Sequence, residues 1–462
     1  MDRVGVLVVS KSLSAPAIID ALSRSEKYKP EFYVVERQLN PFTSAVAKKH
    51  IVLPGLELDE TVKAVSKFAD RVQFGLTDTE DFVIGGGRDR VEKEAGVEMI
   101  CVAKRFAVER SKIEQRLLFD EIFPRANPRY RAFRRQDARD KDKALARFRR
   151  TVAELGEVVI KPDAPARGAG VGVWGSDFAA GREMELFFLD VLSKGGVVVE
   201  EKVVGEESSF HAFSDGKHFV PTPLTQDYKR GLEHGRGKLT GGMGSYRDRT
   251  DYLPFLQQTE WEHLLSAEEA AFRKWKGRGS QPGLRGIVLY DAIMHTGSGF
   301  KVLERNSRGG NTEFMNILTT ISDDLVDVCY RILDGDLHSI SFAPRSSVVT
   351  CGVPLAYGVE GASKSTGMKI DLSMAEEECR KDQWCRLYPM DVHLESDETL
   401  MGESRTAAFV GLGETMESAR RRSLRLAKAS SGPIRWRHDI ASAEDVRRSA
   451  EHMAEIRLES SA

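Results

Sequence analysis

The chain opens on Val4-Gly5-Val6-Leu7-Val8-Val9, a run unbroken by any polar side chain, and residues 14–25 follow with apolar positions at helical spacing. Such a run suits a strand buried on both faces, so a strand–helix unit of a parallel sheet is expected at the start. Runs at 31–35, 71–75 and 97–102 predict further strands and a small α/β domain over residues 1–110. Apolar residues recur at helical spacing from 107 to 122, and Pro124 and Pro128 end that helix. Short apolar runs separated by glycines then follow at 158–160, 171–174, 197–199, 287–290 and 301–303, the pattern of a second, mostly antiparallel α/β module. A boundary between about Leu337 and Pro344 precedes a Gly- and charge-rich segment that closes on a helical pattern over 442–457.

The 462 residues exceed what one core can organise and predict roughly three domains. Lys and Arg number 68 against 70 Asp and Glu, a net charge of −2, so the chain as a whole lacks the basic excess that favours nucleic acid or anionic lipid. The basic stretch 125–150 carries Asp137, Asp140 and Asp142 among its arginines, which favours a solvated helix face over a nucleic-acid patch. No run approaches the ~20 apolar residues of a membrane helix. The five cysteines are odd in number and scattered, without a Cys-x-x-Cys pair, so reduced thiols and a cytoplasmic location are expected. His211, His218 and His234 are too irregularly spaced for a zinc site.

Two familiar nucleotide motifs are absent. Residues 85–88 do not form a dinucleotide fingerprint, and 361–365 lack the Gly-Lys of a phosphate loop. Other segments carry candidate phosphate chemistry. A strand ending at Lys161 leads into a turn with Gly168 and Gly170, where backbone N–H groups could approach phosphate oxygens beside a positive charge. A tight hairpin with a snorkelling lysine would look the same. The run 197–208, with Glu200, Glu201 and Glu207, offers a strand-to-loop crossing for an adenine edge and a carboxylate for a ribose, or simply a charged edge strand. Most specific is the strand closing on Glu304, Asn306 and Arg308, whose side chains share one face by period-two alternation, with Asp291 ending the strand before it. Hard oxygen donors suit Mg²⁺ shared with phosphates, and a guanidinium suits an anionic intermediate. A surface strand with alternating polar residues is the alternative.

Together these segments resemble the ATP-grasp superfamily and, within it, the phosphoribosylamine–glycine ligases. The closest likeness lies in Thr225-Gln226-Asp227-Tyr228-Lys229-Arg230 and Thr240-Gly241-Gly242-Met243-Gly244-Ser245-Tyr246, near that family's Q-D-H-K-R and N-T-G-G-M-G-x-Y. Supporting likenesses are Val108-Glu109-Arg110-Ser111-Lys112, Gly205-Glu206-Glu207-Ser208, 302–308, and Arg437-His438-Asp439-Ile440; the N-terminal domain matches least. The resemblance implies an N-terminal Rossmann-like pre-ATP-grasp domain (1–110), an ATP-grasp domain (111–340) with a mobile α+β lid over about 137–200, and a C-terminal α+β domain (341–462). It implies that Lys112, Lys161, Gly168 and Gly170 bind ATP phosphates, that Glu200 and Glu201 line the adenine hinge, and that Glu207 holds the ribose. Glu304, Asn306 and Asp291 would ligate Mg²⁺ or Mn²⁺, although an acid at position 291 is typical of other ATP-grasp enzymes rather than of this family. Lys229, Arg230, Thr240, Gly241 and Gly242 would meet the second substrate or the acyl phosphate, and Arg308 would stabilise the latter. The implied reaction is ATP-dependent ligation of a small-molecule carboxylate to an amine, by a monomer or homodimer.

The chain departs from the family where ligase substrates are expected. Ala169 replaces a phosphate-loop lysine, Leu239 an asparagine, 309–314 read Gly-Gly-Asn-Thr-Glu-Phe in place of F-G-D-P-E-T, and Ser10-Lys11-Ser12-Leu13-Ser14 replaces a glycine-rich turn. A paralogue joining a different amino acid and amine, and an inactive nucleotide-binding scaffold, therefore stand beside the purine reaction.

Overall fold

The computed structural model describes residues 1–11, 13–165, 170–179, 181–276, 283–359 and 361–461. The opening apolar run is β1 (Asp2–Ser10), followed by β2 (Tyr28–Glu36), β3 (Ala47–Val52) and β4 (Phe74–Thr77) in a parallel sheet of order β3-β2-β1-β4. Its switch point lies between β1 and β4, where the strand order reverses. The run at 97–102 contributes only an isolated parallel bridge, Gly75 to Met99, and 69–71 form a helical turn ahead of β4.

The predicted helix over 107–122 begins at Lys112, because Ser111 caps it and its hydroxyl accepts the Glu114 N–H at 3.1 Å. Next come β5 (Tyr130–Phe133), β6 (Val158–Pro162), β7 (Gly172–Val173) and β8 (Val197–Glu201), an antiparallel sheet of order β5-β8-β6-β7. Helices Lys141–Leu155 and Arg182–Lys194 cover it, and a separate core around Phe133, Phe148, Phe188 and Val199 makes this a compact lid.

The chain continues through β9 (Glu206–Ser214), β10 (Phe219–Pro221), β11 (Gln226–Asp227), the hairpin β12 (Arg230–Leu232) and β13 (Arg236–Leu239), β14 (Gly244–Arg247), β15 (Gly286–Thr296) and β16 (Gly299–Asn306). The central sheet has the order β10-β9-β15-β16. β11 and β14 leave it to join β17 (Ser346–Pro354), the start of the last segment. The hairpin β19 (Val392–Glu395) and β20 (Glu398–Met401) follows β18 (Cys385–Pro389), and β21 (Ala407–Gly413) completes the sheet β11-β14-β17-β21-β18. No helix among the described residues is long and apolar enough to cross a membrane.

Candidate active site

Lid, central sheet and N-terminal sheet meet around a cavity of about 710 Å³. Side-chain alternation decides what enters it. On β16, Glu304 and Asn306 line the cavity while Arg305 turns beneath the sheet. The capped helix Lys112–Ile122 crosses behind this strand, and its spacing places three contacts on one face. The Lys112 ammonium lies 3.5 Å from Glu304 Oε1, the Gln115 amide oxygen accepts the Arg305 N–H at 2.9 Å, and Arg116 Nε donates to Glu200 Oε1 at 2.6 Å.

Lys161 enters from the lid. It faces Glu200 diagonally across β6 and β8, with 2.8 Å from Nζ to Oε2, and donates to the Leu303 carbonyl at 3.2 Å. Burial lowers its pKa, opposed by the Glu200 carboxylate. Burial would raise the Glu304 carboxyl, but Lys112, Lys161 and Lys229 outweigh it and hold that acid below its ordinary range. Glu200 is likewise held ionised by Arg116 and Lys161 against burial. Its carboxylate is thus engaged by cations, while that of Glu201 accepts the Arg129 N–H at 2.9 Å, so what this strand end offers a ligand is chiefly backbone. Gly170 is in the left-handed region (φ 75°) beside cavity-lining Val171; Gly168 lies outside the described residues, as do Ala169 and Ser12.

Alternation also corrects two expectations. Asp291 is not a metal ligand in this arrangement: Tyr290 and Ala292 line the cavity, so Asp291 points to the far side, fully buried against Arg305 with 2.9 Å from Nε to Oδ1. Glu268 completes that buried group, accepting from Arg305 at 2.8 Å. In the same way Asp227 and Lys229 face the cavity while Tyr228 and Arg230 turn away. Arg230 is no catalytic group here; it pairs with Asp177 of the lid at 3.0 Å and donates to the Gly237 carbonyl at 3.0 Å.

Thr240 and Gly241 line the cavity floor, held by the Thr240 hydroxyl on the Lys229 carbonyl (2.9 Å) and by the Tyr357 hydroxyl, which accepts the Gly241 N–H at 3.1 Å. Gly242 (φ 101°) packs against Asp227, where an added Cβ would lie 2.7 Å from Oδ1. Glu207 and Lys229 form an ion pair. Asp227, Glu313 and Arg405 also line the floor although none was singled out as a site residue. Asp227 sits inside the quoted motif, whereas nothing in the local sequence marks Arg405, which arrives from the C-terminal segment.

The donor chemistry fits a magnesium ion. Glu304, kept ionised, and the Asn306 carboxamide supply two hard oxygens on one face, the number this ion commonly takes from protein when phosphates supply others. Among the described residues no group of three or more His, Cys, Asp or Glu is placed to hold a metal.

At the N-terminal edge, Arg308 is fixed by Glu80 at 2.9 Å, which keeps its guanidinium charged despite burial. Asp78, at the sheet's switch point, accepts the backbone N–H of Ser14 at 2.7 Å and of Lys11 at 3.4 Å.

Residues 121–314 match the family model described as phosphoribosylglycinamide synthetase, ATP-grasp (A) domain. The chain is 31% identical to a phosphoribosylamine–glycine ligase of Methanobrevibacter smithii over 98% of its own length and 99% of that protein's. A crystal structure of phosphoribosylamine–glycine ligase from Thermotoga maritima is similar with a TM-score of 0.71 at 22% identity, covering 95% of this chain and all of that one. An N5-carboxyaminoimidazole ribonucleotide synthetase in complex with ADP superposes with a TM-score of 0.60 at 12% identity, covering 92% of this chain and 96% of that one. These two structural likenesses bear on the fold.

Proposed function

The chain belongs to the phosphoribosylamine–glycine ligase family, and from that membership we propose that it joins glycine to 5-phosphoribosylamine, giving glycinamide ribonucleotide as ATP is cleaved to ADP and phosphate. It is an ATP-grasp ligase that forms a C–N bond. The observation that carries the reading at the site is the meeting of Lys161 with Glu304 and Asn306 at one cavity wall, with Lys112 ion-paired to Glu304 from behind it.

A carboxylate oxygen is a poor leaving group, so the acid must first be activated. A glycine carboxylate oxygen attacks the γ-phosphorus of ATP, the bond to the bridging oxygen breaks, and ADP departs. The acyl phosphate's carbonyl carbon is then attacked by the amine, the C–O bond to phosphate breaks, and the amine's proton leaves with the phosphate. Such transfers need placement and charge neutralisation more than covalent help. Lys112 and Lys161 supply fixed positive charge to the phosphates, and Glu200 and Arg116 fix Lys161 in turn. Glu304 and Asn306 would hold magnesium, which neutralises charge on the transferring group when bound. Arg308, oriented by Glu80 at the cavity wall, would stabilise the charge that gathers on the acyl phosphate oxygens.

The test is ADP release by the purified chain with glycine and phosphoribosylamine, dependent on both and on magnesium. One observation favours a second reading, in which a different amine replaces phosphoribosylamine. Ligands of open parallel sheets bind beyond the strand ends at the switch point, and helix N-termini there favour anions. Here the Asp78 carboxylate takes the N–H of Ser14, the N-cap of the helix Ala15–Ser23, and that of Lys11 in the turn before it, next to Glu80. An amine without a phosphate group would avoid that repulsion. ADP release with glycine and an unphosphorylated amine, but none with phosphoribosylamine, selects this second reading.

A further inference from the structure

The carboxyl end of β2 meets the C-terminal segment rather than solvent. Four consecutive residues there, 37–40, grip residues 389–394, where β18 passes into β19. Arg37 Nη2 donates to Asp391 Oδ1 at 2.6 Å, and the Gln38 amide donates to the same oxygen at 3.2 Å and to the Val392 carbonyl at 3.0 Å. The Leu39 carbonyl accepts the Leu394 N–H at 2.9 Å, and the Asn40 amide donates to the Pro389 and Met390 carbonyls, each at 3.0 Å. Asp391, only 2% exposed, is the carboxylate at the centre of this seam, and it does not itself line the cavity. Its second oxygen, Oδ2, accepts the Ser404 N–H at 2.7 Å. Its backbone closes the same loop twice more, the N–H donating to the Arg405 carbonyl and the carbonyl accepting the Gly402 N–H, both at 2.8 Å. That closeness requires glycine at 402, since an added Cβ would lie 2.3 Å from the Asp391 carboxyl carbon.

Both ends of this arrangement reach the cavity. Ser404 and Arg405 line it from the C-terminal segment, with Arg405 Nη1 donating to the Gly241 carbonyl. On the N-terminal side, the Arg37 N–H donates to the Ser10 carbonyl at 3.3 Å, and the next residue, Lys11, lines the cavity too. One buried carboxylate thus ties together two walls whose residues stand 354 positions apart in sequence. Its oxygens accept from a guanidinium, an amide and a main-chain N–H, and bonds to an ionised acceptor are strong and directional. Asparagine cannot replace it, because its NH₂ would face a donor whichever way the amide is turned. None of these bonds involves the lid, from which Lys161 enters. We propose that Asp391 is a positioning residue of the ligase: it fixes where Ser404 and Arg405 stand relative to the wall at Lys11, and so shapes the part of the cavity left to the substrates other than ATP. This rests on the reading of the cavity as a ligase site, and it is independent of which amine is used.

The test compares Asp391→Asn and Arg37→Gln with the unaltered chain in steady-state ADP release with glycine, phosphoribosylamine and magnesium. Asp391→Asn is expected to lower kcat/KM for the two non-nucleotide substrates by about 10- to 100-fold, the scale of an ångström's misplacement, while KM for ATP changes by no more than about threefold. Arg37 lies outside the cavity with its side chain 40% exposed, so its replacement spares the fold if Asp391→Asn does not. Arg37→Gln should show the same split at about 3- to 10-fold, since Gln38 and Ser404 still hold the carboxylate, and Arg37→Lys should recover most of the loss. A loss confined to kcat with every KM unchanged, or one that raises KM for ATP equally, makes Asp391 merely structural and overturns the assignment. Amide exchange of peptides covering Ser404, followed by mass spectrometry without substrate, gives a readout that needs no activity. Exchange about tenfold faster in Asp391→Asn and about threefold faster in Arg37→Gln is expected, and unchanged exchange in both overturns the assignment as well. Absence of ADP release from the unaltered chain with these substrates strikes the proposed reaction instead, and exchange at Ser404 then decides whether Asp391 holds the loop.

Discussion

At the residue scale, the site depends on charges kept in specific states by neighbours. Glu304 stays ionised because three lysines offset its burial, so Glu304→Gln removes both the negative charge of the proposed magnesium site and the ion-pair partner of Lys112. A loss of about 10²- to 10³-fold in kcat is expected, comparable with removing one preorganised electrostatic group, and steady-state ADP release at saturating magnesium checks it. Two buried histidines point to a different pH effect. Burial lowers His211 and His295 to about 4, and the structure shows what keeps each neutral: Nε2 of His211 accepts the Gly310 N–H at 3.0 Å, and Nε2 of His295 lies 2.7 Å from the Ser208 hydroxyl. In the unfolded chain both titrate near 6.5, so below that pH the unfolded state binds more protons and stability falls. The contribution is fully present above about pH 6.5 and lost toward pH 4, on the order of 3 kcal/mol per histidine from the shift. Urea midpoints between pH 4 and 8 should show this fall in the parent and a smaller one in His295→Gln. Parallel pH curves for the two would count against the account.

At the scale of elements, strand alternation decides function and is what a sequence reads least securely when register is unknown. Asp291 and Glu304 lie close in sequence, yet one is opposite Arg305 beneath the central sheet and the other faces the cavity. Arg305→Met should therefore destabilise the fold by about 3–5 kcal/mol, because Asp291 and Glu268 would be left as unpaired buried acids. Asp291→Asn should lower the unfolding midpoint while leaving the magnesium dependence of ADP release unchanged, a result that separates a structural acid from a ligand. The same rule explains what was legible. Glu304 and Asn306 are legible together because they share parity on one strand, Arg308 continues that parity two residues past its end, and Lys161 is legible because it stands next to last on β6. Arg230 has the opposite parity to the cavity-facing Lys229, and that parity is fixed only by the pairing of β11 with β14, which the local sequence does not reveal. The strand expected at 97–102 failed for a related reason. Its apolar residues are buried as predicted, but they pack as a loop that touches β4 at a single bridge.

At the scale of the whole molecule, sequence order and spatial order diverge, and this hid Arg405 and Tyr357 from any local reading. β14 pairs with β17, so the C-terminal segment adds both residues to a floor begun at Asp227. The lid is organised in the opposite way. Among the described residues its strands β5 to β8 pair only with one another, its core is its own, and its two ends meet where the Glu201 N–H donates to the Arg129 carbonyl at 2.9 Å. Two consequences follow from that contrast. A chain cut after residue 340 leaves β14 an exposed edge without β17, and should accumulate as aggregate rather than as a folded domain. A chain in which residues 130–201 are replaced by a short glycine linker should keep the remaining fold. Among the charged groups it strands, Arg116 loses Glu200 but retains the Val302 carbonyl at 2.9 Å and the Asn127 amide oxygen at 2.8 Å, and Arg230 loses Asp177 but retains the Gly237 carbonyl at 3.0 Å. That deletion removes Lys161 and the strand end beside the cavity, so it should show a cooperative thermal transition and no measurable stabilisation by ATP. A lid-less chain whose melting temperature still rises with ATP would mean that the nucleotide is held by the central sheet and Lys112 alone.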